Sequence, residues 1–103
     1  MEEWDARPRE VTFKGRELEL FTRGHLAKAL NRKVVTIRRM ERTGVLIHPR
    51  LRNRHGVWLY TRAQVEALVQ LAAEEGVLDP AKRAPYSPRF IREAHRVLHE
   101  YPQ

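Results

Sequence analysis

Arg38, Arg39 and Arg42 stand at the spacing that brings side chains to one face of an α-helix, and Val35 joins them there. Guanidiniums gathered in this way repel one another unless something anionic faces them. No acidic residue falls within the stripe, and the planar forks suit phosphate oxygens and the edge of guanine. Ile37 and Met40 point the other way and give the same helix an apolar anchor. The chemistry on offer is anion recognition by a helix held from behind. Most charge runs are simply solvated surface, but a helix–turn segment directly precedes this one.

Other chemistries find little support. His95 and His99, four residues apart, could share a metal, yet no third ligand stands at motif spacing and the HExxH pattern is absent. There is no glycine-rich phosphate loop, no nucleophile elbow and no carboxylate pair in an apolar setting. Glu41 reads as an ion-pair partner for a nearby arginine. Without cysteine, the chain has no thiol nucleophile, disulfide or zinc-finger cluster. Binding is expected, with no catalysis, cofactor or metal.

The elements that must position the arginines run from Phe21 to Leu46. Thr22 is suited to cap a first helix, and Phe21 and Leu26 have the spacing of a hydrophobic staple. Leu26, Ala27 and Leu30 form its apolar face, and Asn31 tolerates the left-handed turn that follows. A second helix, about Val34 to Thr43, ends at Gly44. Beyond it, Val45–Ile47 reads as a strand whose partner is Val57–Tyr60. Between them Arg50, Arg52 and Arg54 alternate, which in an extended ribbon places them on one side. Trp58 and Tyr60 read as core aromatics, although stacking on bases is open to them.

These residues resemble the MerR-like winged helix–turn–helix family, in particular its excisionase-type branch from phages and mobile elements. The likeness rests on Phe21-Thr22, Leu26-Ala27, Thr36-Ile37-Arg38-Arg39-Met40-Glu41-Arg42, Gly44-Val45-Leu46 and Tyr60-Thr61. Two positions depart from the branch. Met40 replaces a tryptophan with a softer apolar anchor. Lys33 stands where a serine would cap the recognition helix; it cannot accept the capping bond, and it places a cation at the positive helix end. Lys33 is well placed for a phosphate. The resemblance implies double-stranded DNA as partner, with Arg23, Arg32, Lys33, Val35, Thr36, Arg38, Arg39 and Arg42 on the helical segment. Arg50, Arg52 and Arg54 would belong to a wing lying on the backbone or in a minor groove. Arg38 and Arg39 would read guanine, Lys33 and Arg42 would hold phosphates, and Val35 would meet a thymine methyl.

Charge agrees with this placement. The 103 residues carry 20 Lys and Arg against 13 Asp and Glu. Between Arg23 and Arg62 there are 11 basic residues and one acid, so the remainder of the chain is net acidic. An acidic protein or a membrane surface could also attract the patch, but the helical framing favours nucleic acid. The N-terminus resembles no signal peptide and no run is long enough to span a membrane, so a cytoplasmic, nucleoid-associated protein is expected.

The remaining segments complete a mostly α fold with a small antiparallel β wing: one winged helix–turn–helix domain plus a C-terminal helix. Residues 1–10 read as a polar lead-in in which Trp4 is a loose anchor. Residues 11–78 form the domain, opening with a hairpin around Lys14-Gly15-Arg16. Within it, Thr61-Arg62-Ala63-Gln64 is a capping box for a helix ending at Gly76. Residues 79–86, with Pro80 and Pro85, read as a linker. In residues 87–103, Ser87-Pro88 opens a helix with an apolar stripe of Phe90, Ile91, Ala94, Val97, Leu98 and Tyr101. That stripe either completes the core or serves a partner. Homo-oligomers through this helix, cooperative assembly on DNA, and a recombinase or other phage protein as partner all stay open.

Three functions compete at this level. The first is an excisionase-type or regulatory factor. The second is a transcription regulator; an effector-responsive one is disfavoured because about 27 residues after Gly76 leave little room for a dimerisation helix and a ligand domain. The third is a structural nucleoprotein, such as a small DNA-packaging (terminase-like) subunit. RNA is disfavoured by the lack of an aromatic sheet platform.

Overall fold

A computed structural model describes residues 9–13, 16–79, 81–82 and 85–100. The element order is β1 (Arg9–Phe13), β2 (Arg16–Phe21), α1 (Arg23–Ala29), α2 (Val34–Arg42), β3 (Leu51–Arg52), β4 (Trp58–Thr61), α3 (Arg62–Glu74) and α4 (Pro88–His99). The strands form one antiparallel sheet in the order β1-β2-β4-β3. The hairpin expected ahead of the first helix is β1–β2, with Phe13 opposite Arg16. It begins at Arg9, so the lead-in is shorter than residues 1–10; Trp4 and Tyr101 lie outside the described residues.

Each of the first three helices ends in the same way, and sequence explains why. Asn31, Gly44 and Gly76 all have positive φ, at 60°, 87° and 74°. In each case the next residue's N–H reaches back five positions, from Arg32 to Ala27, Val45 to Met40 and Val77 to Ala72, at 2.8 Å. This left-handed exit satisfies carbonyls that the helix end would otherwise leave bare. After α2 it also turns Val45 and Leu46 inward, where both are buried.

That exit overturns one expectation. Val45–Ile47 is not a strand, because its backbone wraps around the end of α2 instead of pairing. The partner of β4 is Leu51–Arg52, within the stretch read as the wing loop, with Leu51 opposite Leu59 and Arg52 opposite Trp58. Asn53 closes the turn: its Oδ1 accepts the N–H groups of His55 and Val57, at 2.8 and 3.0 Å.

The core joins the four helices with β2 and β4. Phe21, Leu26, Leu30, Ile37, Met40, Leu46, Tyr60, Val65 and Leu68 form one cluster with Phe90, Ala94, Val97 and Leu98 of α4. The last helix therefore completes the core. Ser87 caps it, with its Oγ 3.0 Å from the Phe90 N–H and Pro88 at the first helical position. Gln64 ties it to the start of α3: its Oε1 accepts the Thr61 N–H, while its Nε2 donates to the Val97 and Glu100 carbonyls. Full burial of Phe90 and Leu98 contributes about 2 kcal/mol each.

Candidate nucleic-acid interface

Helix α2 is held from behind, as its sequence requires. Ile37 and Met40 are 0% and 3% exposed, whereas Val35 on the opposite face is 59% exposed. Arg38, Arg39 and Arg42 are exposed beside it. Their side chains make no hydrogen bond or ion pair among the described residues, and neither do those of Lys33 and Arg54. Lys33 occupies the N-cap position with extended backbone and no side-chain capping bond, so the first N–H groups of α2 face outward beside an ammonium. Thr36 is half-buried one turn in.

A capping box positions α1 against α2. Thr22 Oγ1 faces the His25 N–H, and His25 Nδ1 accepts the Thr22 N–H at 3.1 Å. Sequence pointed to Thr22, but a histidine closing the box lies outside the usual Glu or Gln pattern. Asn31 at the turn donates its Nδ2 to the Leu78 carbonyl at 3.0 Å, fixing the helix pair to the exit of α3.

Two predicted contacts are committed inside the fold. Arg23 grips Glu41 with both fork arms, Nη2 at 2.9 Å from Oε1 and Nε at 3.2 Å from Oε2. The Glu41 side chain is only 8% exposed and also receives the Tyr60 hydroxyl at 3.4 Å. Burial first, then the Glu41 charge, pushes the Tyr60 hydroxyl well above its ordinary pKa, so it stays a neutral donor. Glu41 thus joins α2 to α1 and β4, and the guanidinium of Arg23 is a brace. Arg32 donates to the carbonyls of Asn31 and Asp79, at 3.2 and 3.0 Å, and anchors the segment after α3. The resemblance implied that both residues lie on the DNA; in the fold each side chain donates to oxygens of its own chain.

The wing differs from an alternating arginine row. Arg50 lies before β3 and donates to the His99 carbonyl at 3.0 Å, tethering the wing's root to the end of α4. Arg52 lies over the Trp58 ring, 4.4 Å from its centroid. His48 stacks on the same residue at 4.6 Å, with the ring planes 8° apart. Trp58 is half-buried, and its ring with the His48 ring and the Arg52 guanidinium forms a packed stem that sequence did not indicate. Arg54 is at the exposed tip. The other candidate chemistry takes a different course: His95 Nε2 is 2.7 Å from the Gly44 carbonyl. Among the described residues no cluster of three or more His, Asp or Glu could hold a metal, and no helix is long and apolar enough to cross a membrane.

A family model described as "MerR HTH family regulatory protein" matches residues 21–73, just over half of the chain. The matched span opens at the residue before the α1 cap and closes within α3, so it contains both helices and the wing. No curated protein and no solved structure matches the chain.

Proposed function

The chain belongs to the MerR helix–turn–helix family of DNA-binding regulatory proteins, and from that premise we propose that it docks α2 in the major groove of a specific duplex. The carrying observation is the outer face of α2, where Arg38, Arg39 and Arg42 are exposed and unpaired among the described residues while Ile37 and Met40 are buried. Arg38 and Arg39 read base edges, Lys33 and Arg42 hold phosphates, and Val35 meets a thymine methyl. Arg52 and Arg54 follow the neighbouring backbone or minor groove, where narrow A·T tracts deepen the negative potential.

Within this family, an excisionase-type factor of a phage or mobile element fits best. The apolar face of α4 is consumed in the core, so it offers no seam for a dimerisation coiled coil. Assembly of several copies then forms along DNA. Selection from random duplexes tests the reading: enriched sites should contain guanine beside thymine, and uracil in place of that thymine should weaken binding. Recovery of no consensus, together with tighter binding to hairpin RNA, would overturn it.

A further inference from the structure

Beside α2 lies a groove of about 870 Å³, bounded by α1, α2, α4 and the residues Lys82, Pro85 and Tyr86. This volume falls in the range of drug-sized ligand sites, roughly 300–1,000 Å³. Its floor is apolar, with edges of Met40 and Val45 below and half-buried Tyr86 and Ile91 along one wall. Its rim is cationic: Lys28, Lys33, Arg39 and Lys82 stand around it, and no carboxylate lines it among the described residues. The side chains of Lys28, Lys33 and Arg39 have no hydrogen bond or ion pair among the described residues. The nearby carboxylate of Glu75 feels the Lys82 charge but is already held by Arg89 and Ser87.

Cations crowded around an apolar trough raise a positive potential that nothing in the lining offsets, and low-dielectric walls focus it. Such a trough discriminates against neutral apolar molecules, which gain only floor contacts, and against small inorganic anions, which gain only rim contacts. We propose that it is a binding site for an organic anion with a flat apolar body, such as an aromatic carboxylate, sulfonate or phosphate. The body lies on Met40, Val45, Tyr86 and Ile91, and the head group meets Lys28, Lys33 or Lys82. Lys33, Thr36 and Arg39 line the groove and also belong to the proposed DNA surface. A ligand seated there competes with duplex, which makes DNA binding responsive to an anion. The competition rests on the DNA reading; the site itself does not.

The test titrates the full-length protein with anilinonaphthalene sulfonate, followed by amide chemical shifts and by fluorescence. Neutral N-phenylnaphthylamine and inorganic phosphate serve as controls. Shifts should gather on Val45, Tyr86, Ile91 and their neighbours, with both controls binding at least about tenfold more weakly. Lys82→Glu should weaken the sulfonate about tenfold, and Ile91→Glu, which puts a like charge against the bound anion, should do the same while the fold's spectrum is retained. Shifts spread over the whole surface, or equal binding of the neutral analogue, would overturn the site. In a second arm, saturating sulfonate should displace a labelled duplex from the unaltered protein and not from Ile91→Glu. Sulfonate bound in the groove with the duplex retained would refute competition; a duplex that never binds would refute the DNA reading and leave the first arm to stand or fall alone.

Discussion

Alanine at Arg38 or Arg39 should relax the choice of duplex, because each can make a bidentate contact to guanine worth about 1–3 kcal/mol of discrimination. Alanine at Lys33 should instead weaken all duplexes alike, since a phosphate contact carries no base information. Competition assays with specific and scrambled duplexes check this division, which fails if all variants lose both affinities in one ratio. Arg23→Ala belongs to a different class. It removes the guanidinium from the Glu41 carboxylate, 8% exposed, leaving it the Tyr60 hydroxyl and the neighbouring His48 ring, and should cost about 2–3 kcal/mol of stability by denaturant unfolding. Arg38→Ala, by contrast, should fall within about 0.5 kcal/mol of the unaltered chain. The contrast explains what could be read from residues alone. The periodicity of Ile37 and Met40 reveals the phase of α2, because burial of one face is a local property. The fate of Arg23 and Arg32 is not local. Their partners, Glu41 and the carbonyl of Asp79, lie 18 and 47 positions away, and only the packed fold brings them within reach.

The wing is the element whose position sequence misjudged. Val45–Ile47 has the composition of a strand, but Gly44 sends it around the helix end before pairing can begin. The strand that forms, Leu51–Arg52, is too short and too polar to show a period, and it is set by its register with Trp58 and Leu59. Since Arg52 lies over Trp58, deleting residues 50–54 should loosen that stem as well as remove charge. The deletion should lower both affinity and salt dependence, and inosine–cytosine pairs beside the α2 site should bind better than guanine–cytosine pairs there. An unchanged salt slope would show that the loop lies away from DNA. In α4 the stripe and the Ser87-Pro88 start were legible; its place in the core was not, because an amphipathic helix looks the same whether its apolar face meets its own domain or a partner. Phe90→Ala should destabilise the whole fold by about 3–5 kcal/mol in one cooperative transition. A separate early melting of α4, with the rest intact, would mean that it is an appendage.

Charge acts at the scale of the whole molecule. The cations between Arg23 and Arg62 divide into those bonded within the fold, such as Arg23, Arg32 and Arg62, and those on the outer faces of α2 and the wing. If about five of the latter meet phosphates, log K should fall against log salt with a slope of about −5. Duplex titrations at several salt concentrations measure it, and a slope near zero would exclude the docking described above. The Glu41 brace carries a further consequence. Its bonds to Arg23 and Tyr60 and the burial of Ile37 and Met40 hold α2 from one side, while Arg38, Arg39 and Arg42 hold nothing in place. Substitutions on surfaces that share no partners add nearly independently. On the proposed docking, the letters that spell a binding site can therefore be rewritten without reopening the question of whether the chain folds, and one scaffold can serve many operators.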